Sequence, residues 1–234
     1  MYNIDMKIKH NGFTLAEVLI TLGIIGVVAA ITIPGLMTKL KNHQIEAVLK
    51  EDYSILNQMM ISAYDDGAVN VSSTSNNMTV IKSWFQEYLL PYIKVSSVCY
   101  DETGCWSQNV KTLKGTKHTS YTTGCGQLTV SFILNNGSYI CMDDFGKSQL
   151  KSSFGIETDS KMAYAFYIDT NGDRQPNVIG KDIYILVFKE ETEKMVPAGS
   201  DMTTDEIKQN CSSEGSGYWC LSLIKNQGWK VVEN

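Results

Sequence analysis

The chain has little positive charge and few of the side chains that build catalytic sites. Its net charge is −5, Arg174 is its one arginine, and its three histidines, His10, His43 and His118, lie far apart. A dedicated nucleic-acid binder needs clustered basic side chains that release counterions from phosphates, so this class of protein is disfavoured. The lysines within residues 111–118 are interpreted as a solvated loop. With no nucleophile–histidine pattern and no glycine-rich phosphate loop, we expect no enzyme activity.

Cysteine is absent from the first 98 residues, which excludes a lipid-modified cysteine after the N-terminal apolar segment. Six cysteines follow, and an even number in a region outside the cytoplasm indicates disulfides. Zinc is disfavoured because no Cys-x-x-Cys pair is present. Two short glycine-containing loops favour the pairs Cys99–Cys105 and Cys211–Cys220, and elimination leaves Cys125 with Cys141.

A distance argument opposes the third cysteine pair. A two-residue turn at Asn136-Gly137 would place Cys141 opposite Phe132, with Cys125 seven residues further along the strand. At about 3.3 Å per residue, that separation is too long for a disulfide. The sequence therefore leaves the partner of Cys125 open.

The N-terminus carries a long apolar segment with one acid near its start. Apolar residues dominate from Phe13 to about Met37, and Glu17 lies inside this segment. A carboxylate at the centre of a membrane helix costs roughly 2.5–3.5 kcal/mol, so we expect a group that neutralises it. A cut between Gly12 and Phe13 would create a positive terminal amine four residues from Glu17.

Two simpler interpretations of this segment are an ordinary secretory signal and a plain membrane anchor. A secretory signal would be cut near Ala29-Ala30, with a charge left inside its apolar core. An anchor fits the length, since about 20 apolar residues cross a bilayer. Neither interpretation explains a glycine, a phenylalanine and a glutamate at the spacing of Gly12, Phe13 and Glu17.

The pattern resembles the class III signal of type IV prepilins and of type II secretion pseudopilins. The resemblance covers residues 7–45 and includes Gly12, Phe13, Glu17 and Pro34. It implies that a prepilin peptidase cleaves after Gly12 and that Phe13 becomes N-methylated. It also implies that Glu17 pairs with the Phe13 amine of a neighbouring subunit during filament assembly.

The resemblance further implies a structural subunit of a type IV pilus or a type II secretion pseudopilus. Its partners would be other pilin-like subunits, the peptidase, membrane lipid and an inner-membrane assembly platform, with nucleic acid unlikely. The chain would cross the inner membrane once, with its head outside the cytoplasm, before joining a periplasmic or surface filament. The alternative is a minor tip adhesin or a DNA-binding pilin. Pilus, pseudopilus and competence system remain open.

The sequence predicts an α+β fold with a long N-terminal helix packed on a small antiparallel sheet. The expected segments are a leader at residues 1–12, a membrane and assembly helix at 13–37, its amphipathic continuation at 38–66, and a head at 67–234. The continuation has one apolar stripe, interrupted at Asp52. Pro34 removes a helical hydrogen bond and should loosen the membrane helix.

The head is predicted to have about four strands and several short helices. The expected strands are 128–134, 138–142, 162–168 and 183–188, and the pattern switches from a helical period to a period of two between the helices and these strands. A helix is predicted at Val80–Leu90 with Val80 on its buried side. Thr203 to Glu206 fits a capping box for a short helix that runs to Cys211, and a last helical turn is expected near 219–225.

One soluble loop has the composition of a cation site. Asp169, Asn171 and Asp173 alternate along the chain, with Asp182 shortly after, as oxygen ligands do at the start of a calcium loop. Compared with an EF-hand loop, this loop has its glycine at the fourth position instead of the sixth, and Gly180 occupies the position where an EF-hand has glutamate. The alternative is an Asx turn between two strands. Calcium is the one cofactor that we expect as a candidate.

Overall fold

The computed structural model describes residues 14–68 and 77–231. Packing divides the chain into two compact units, Met1–Asn42 and His43–Asn234. The helices are α1 (Leu15–Asp65), α2 (Met78–Trp84), α3 (Lys147–Ser152), α4 (Thr204–Asn210) and α5 (Cys220–Asn226). The strands are β1 (Val95–Tyr100), β2 (Val130–Leu134), β3 (Tyr139–Gly146), β4 (Met162–Asp169), β5 (Ile183–Lys189) and β6 (Lys194–Pro197).

Helix α1 ends at Asp65, where the Asp65-Asp66-Gly67 sequence predicted a stop. In the unit that begins at His43, one stripe of the helix is buried. The stripe consists of Ile45, Glu46, Leu49, Asp52, Leu56, Met59, Met60 and Ala63. Asp52 interrupts the apolar stripe as predicted and is fully buried there, and Glu46 is a second acid on the stripe that the prediction missed. Asp52 Oδ1 accepts a hydrogen bond from Asn136 Nδ2 at 2.8 Å, which supplies the partner that a buried carboxylate needs.

The strands form a single antiparallel meander in the order β1-β2-β3-β4-β5-β6. The prediction of about four strands missed the two edge strands. In strand β1, buried and exposed residues do not alternate, because the consecutive residues Ser96 and Ser97 are both exposed. Strand β6 has four residues and ends in Pro197. A run this short that ends in proline gives no recognisable strand pattern in the sequence. It is held to α1 by the Met195 N–H, which donates to Asn57 Oδ1 at 2.9 Å.

The two faces of the sheet have separate cores. Phe132, Phe166 and Leu186 lie in the same buried cluster as the α1 stripe, α2 and α5. The opposite face buries Tyr167 and Val187 with α3 and the loops around it. Because successive residues of a strand point to opposite faces, the β3 residues alternate between these two cores.

The predicted helix at Val80–Leu90 has three helical parts. Helix α2 is followed by a π-helical turn at Phe85–Leu89 and a 3₁₀ turn at Leu90–Tyr92, so helical backbone continues past Pro91. Val80 is 41% exposed, which contradicts its expected burial, while Trp84 and Phe85 are buried as expected. Val80 lies in the first turn of α2, at the edge of the buried stripe that Ile81, Trp84 and Phe85 form, so its side chain stays outside the core.

The sequence correctly predicted the helix start at Thr203 and the last helix of the head. Thr203 Oγ1 accepts the Glu206 N–H, and Glu206 Oε2 accepts the Thr203 N–H at 2.9 Å, which is the capping box of α4. Helix α5 occupies the position of the expected last turn. Helix α3 was not predicted.

The structure contains three disulfides, Cys99–Cys105, Cys125–Cys141 and Cys211–Cys220. The distance argument against the second one is wrong for two reasons. Strand β2 begins at Val130, so residues 124–129 turn back instead of extending the strand, and the Cα atoms of Cys125 and Cys141 lie 6.0 Å apart. The strand register also differs by one residue, with Cys141 opposite Ser131 and Phe132 opposite Ile140.

Candidate functional site

The described part of the first unit, residues 14–42, is a helix covered with exposed apolar side chains. Among the described residues, α1 is the helix that is long and apolar enough to cross a membrane. Its large apolar side chains are between 41% and 78% exposed, namely Leu15, Val18, Leu19, Ile20, Leu22, Ile24, Ile25, Val27, Val28, Ile31, Ile33, Leu36, Met37 and Leu40. Soluble monomers rarely expose apolar patches this long, so this surface requires a lipid or protein partner.

Glu17 lies in the first turn of α1 and is hydrogen-bonded within its own chain. Its Oε2 accepts the Thr14 N–H at 2.8 Å and the Thr14 hydroxyl at 2.9 Å, while Thr14 Oγ1 accepts the Glu17 N–H at 3.3 Å. This reciprocal pair is a capping box. Sequence reasoning gave the carboxylate only an intermolecular role and missed this local one. The Thr-x-x-Glu spacing of Thr14 and Glu17 was the available signal.

Pro34 lies inside α1, and the helix continues through it. Proline has no N–H, so the carbonyl four residues earlier receives no helical hydrogen bond from it. Threonine hydroxyls donate to backbone carbonyls on either side: Thr32 to Val28 at 2.9 Å and Thr38 to Pro34 at 3.1 Å. Neither of these carbonyls is the one that Pro34 leaves without a donor, which belongs to Ala30, and threonine bonds of this kind favour bending of a helix.

The expected cleavage site, Gly12 and Phe13, lies outside the described residues. The comparison with known families concerns this part of the chain. Residues 7–33 match the family model described as the prokaryotic N-terminal methylation motif. The match includes Gly12, Phe13 and Glu17 and stops one residue before Pro34.

The chain carries the class III signal of type IV prepilins and pseudopilins.

This prepilin-type signal agrees with a membrane-anchored precursor of the pilin or pseudopilin type, and the apolar helix that follows it agrees with anchoring. The motif is structural in kind, which is consistent with a protein that is not an enzyme. No curated protein and no solved structure matches the chain. The function of the head is therefore argued from its own residues.

The β4–β5 loop brings three of the four predicted calcium ligands together. Asp169 and Asp182 are both fully buried. The Asn171 N–H donates to Asp169 Oδ1 at 3.1 Å, and the Asn171 side-chain amide donates to Asp182 Oδ2 at 3.2 Å. Burial is the main reason that the pKa of Asp169 rises to about 7, and the charge of Asp182 adds to it. Asp173 is exposed, and its carboxylate lies 3.5 Å from the Tyr139 hydroxyl.

This loop fits the alternative Asx-turn interpretation as well as a cation site. The Asp182 carboxylate accepts the N–H groups of Asn177 at 3.0 Å and Val178 at 2.7 Å, which organises the turn. The side-chain oxygens of Asn171 and Asn177 are buried and accept no protein hydrogen bond, so they are free to bind a cation or water. Among the described residues, no group of three His, Cys, Asp or Glu side chains is placed to hold a metal. Calcium stays a prediction, and Asn177 is a candidate ligand that the sequence analysis missed.

The predicted basic loop has a half-buried histidine and exposed lysines. His118 Nδ1 lies 2.8 Å from the Tyr218 hydroxyl, and the His118 ring packs 5.2 Å from the Tyr167 ring, centroid to centroid. Burial lowers the pKa of His118 to about 4, so the ring is neutral at pH 7. Lys114 and Lys117 are exposed. His118 therefore anchors its loop and adds no positive charge to it.

Proposed function

We propose that the protein is a structural subunit of a type IV pilus or a type II secretion pseudopilus. A prepilin peptidase would cut after Gly12, Phe13 would be N-methylated, and α1 would assemble the subunits. One observation carries this proposal: the methylation motif at residues 7–33 leads directly into a helix whose large apolar side chains are all exposed between Leu15 and Leu40.

The exposed side chains of α1 would be covered by lipid before assembly and by neighbouring helices afterwards. Leaving a large aliphatic side chain in water forgoes about 1.5–3 kcal/mol relative to burial, so lipid would cover the helix before assembly. Helices of neighbouring subunits would then replace the lipid in a filament. Gly23 and Gly26 have no atom within 4 Å of an added Cβ, so both leave room for a neighbouring helix to approach closely. Pro34 would let the helix stretch within the filament.

Glu17 would guide assembly through charge. Thr14 supplies its hydrogen bonds within the subunit, but a hydroxyl and an amide do not neutralise a carboxylate. In lipid, the remaining charge is unfavourable. The positive Phe13 amine of a neighbouring subunit would neutralise it and set the axial position of that neighbour. The assembly platform, membrane lipid and other pilin-like subunits are the partners that this mechanism requires.

The head would lie outside the cytoplasm. All six cysteines of residues 43–234 are in disulfides, and such bonds persist in oxidising compartments. This compartment supports a single-pass precursor with its head in the periplasm, followed by a periplasmic or surface filament.

The processing step is tested by mass analysis of the mature N-terminus. We expect a chain that begins at Phe13 and carries one extra methyl group, and we expect Gly12→Ser to retain the leader. Material that begins at Met1, or that is cut near Ala30, would refute the proposal.

The assembly step is tested with Glu17→Ala and with the matched control Glu51→Gln, an exposed acid further along α1. We expect the Glu17 variant to insert and be cleaved normally but to enter filaments at less than about a tenth of the wild-type level, since tenfold corresponds to about 1.4 kcal/mol. The Glu51 variant should assemble normally. Normal incorporation of the Glu17 variant would contradict the charge mechanism.

A minor tip subunit or adhesin is the second candidate function. It is favoured by an aromatic-lined cavity in the head, which opens on the sheet face whose core is separate from that of α1. Processing would be the same, and copy number separates the two candidates. Quantitative mass spectrometry of purified filaments would show a major subunit as most of the mass and a minor one as a small fraction.

A further inference from the structure

The head has a cavity of about 520 Å³ that the filament role does not use. Five separate parts of the chain form it: the loop 118–127, the end of β3, the segment from α3 to Phe154, Tyr167 of β4, and Tyr218. Its volume lies within the usual range for small-molecule sites. The lining includes Tyr121, Asp143, Phe145, Phe154 and Tyr218.

The carboxyl group of Asp143 lies at one end of the cavity, whereas the side chain of Asp144, the next residue of β3, is on the opposite face of the sheet. The Asp144 N–H donates to Asp143 Oδ1 at 2.9 Å. The loop backbone passes close to the other oxygen, since a Cβ on Gly126 would lie 1.9 Å from Asp143 Oδ2. Burial, reinforced by the charge of Asp144, raises the pKa of Asp143 to about 7. Asp143 is thus held in place by backbone contacts on both of its oxygens.

Within the described lining of the cavity, no positive side chain balances Asp143. Among the described residues that line it, none is lysine or arginine. His118 is part of the wall, but its lowered pKa keeps it neutral at pH 7. An anion would therefore meet unbalanced negative charge, and a phosphate or nucleic-acid ligand is disfavoured.

Aromatic rings form the remainder of the wall. Phe154 is central: its ring lies 4.6 Å from Phe145 and 5.8 Å from Tyr218, centroid to centroid. Phe145 and Tyr218 are partly exposed, and Tyr121 at the rim is 46% exposed. Aromatic faces attract cations within about 6 Å of the ring centroid, most strongly where water is excluded.

We propose that this cavity binds an alkylammonium group, with Asp143 facing the charge and the aromatic rings packing against the alkyl chain. A purely apolar ligand would leave the Asp143 carboxyl group desolvated and without a charged partner, which is unfavourable. The ammonium group satisfies both this carboxyl group and the rings. Its source is either a free polyamine or a lysine side chain of another protein. This inference does not depend on how the N-terminus is processed.

Titration calorimetry on the full chain in detergent tests the proposal with matched probes. Putrescine represents a free polyamine, and N-acetyl-lysine amide represents a protein-borne lysine. N-acetyl-norleucine amide and methyl glucoside are uncharged controls. We expect both amines to bind at least about tenfold more tightly than either neutral probe, and the tighter of the two amines identifies the source.

Variants separate a specific site from general attraction to an acidic protein. Asp143→Asn should weaken amine binding at least about tenfold, because the amide keeps the backbone contact but removes the charge. Tyr121→Ala removes an exposed rim ring with little risk to folding and should weaken it several-fold. Glu214→Gln, which changes an exposed acid outside the cavity, should have no effect.

Three results would overturn the inference. One is the absence of saturable amine binding at millimolar concentration. Another is equal or tighter binding of the norleucine or glucoside probe. The third is an Asp143→Asn protein that keeps the wild-type near-ultraviolet circular dichroism and binds amines as well as before.

Discussion

Replacing Asp52 with asparagine should stabilise the head at neutral pH, although Asp52 is buried and hydrogen-bonded. Burial is the largest cause of its raised pKa, which moves from 3.8 to about 6, and the side chains of Asn136 and Ser138 oppose the shift. A shift of this size corresponds to about 3 kcal/mol at about 1.4 kcal/mol per pKa unit. That is the free energy by which ionisation of Asp52 destabilises the folded head at pH 7.

The free-energy penalty of ionising Asp52 increases as the pH rises. The folded head holds the Asp52 proton more tightly than the unfolded chain does, so the penalty is absent below the unfolded pKa of 3.8. It grows between pH 4 and 6 and is fully present above pH 6. Asparagine keeps an oxygen for Asn136 and carries no charge. We therefore expect Asp52→Asn to raise the free energy of unfolding by about 1–3 kcal/mol at pH 8 and by much less at pH 4.

Urea unfolding of the disulfide-intact protein in detergent, followed by near-ultraviolet circular dichroism, measures this difference at each pH. Glu51→Gln removes an exposed acid from the neighbouring position on α1 and should change stability by less than about 0.5 kcal/mol. A less stable Asp52→Asn protein at pH 8 would refute the reasoning. So would a stability difference that does not shrink on acidification.

Two further predictions concern the C-terminal segment and the β4–β5 loop. Glu46 is 6% exposed and accepts the Val231 N–H at 3.0 Å and Lys230 Nζ at 3.2 Å. We expect Glu46→Ala to destabilise the head by about 1–3 kcal/mol and to speed amide exchange at Val231, whereas unchanged exchange there would contradict the contact. If the β4–β5 loop binds calcium, a concentration of 100 times Kd should add about 2.7 kcal/mol of stability, reversibly with chelator. Asp169→Asn should abolish that gain and Asp173→Asn should keep it; a gain that survives Asp169→Asn would place the ion elsewhere.

Features that depend on a few neighbouring residues were predictable from the sequence. The methylation motif, the end of α1 at Asp65 and the capping box of Thr203 and Glu206 are of this kind, because each is specified within one or two helical turns. The apolar stripe after residue 43 follows from a period of 3.6 alone. A local pattern also has limits, since Val80 fits the apolar stripe of the predicted helix but lies at its edge and is exposed.

The candidate sites were only partly predictable, because their members come from distant parts of the chain. Asp169 and Asp182 were predictable members of the site because they belong to one loop. The exposed Asp173 points away from them, and Asn177 reaches Asp182 through the turn. The cavity was missed entirely, since Tyr121, Asp143, Phe154 and Tyr218 share no sequence pattern. A cavity is a property of packing between segments, and composition does not encode it.

By itself the sequence determined the signal, the apolar helix and the separation of membrane segment from disulfide-linked head, since hydropathy and spacing act within short stretches. Tertiary structure alone decided that Asp52 is buried beside Asn136, which lies 84 positions away. It also decided that Cys125 reaches Cys141 by turning back before β2, and that Asp143 and several aromatic rings enclose a space. Each of these outcomes depends on long-range packing, in which the position of one segment sets the environment of another.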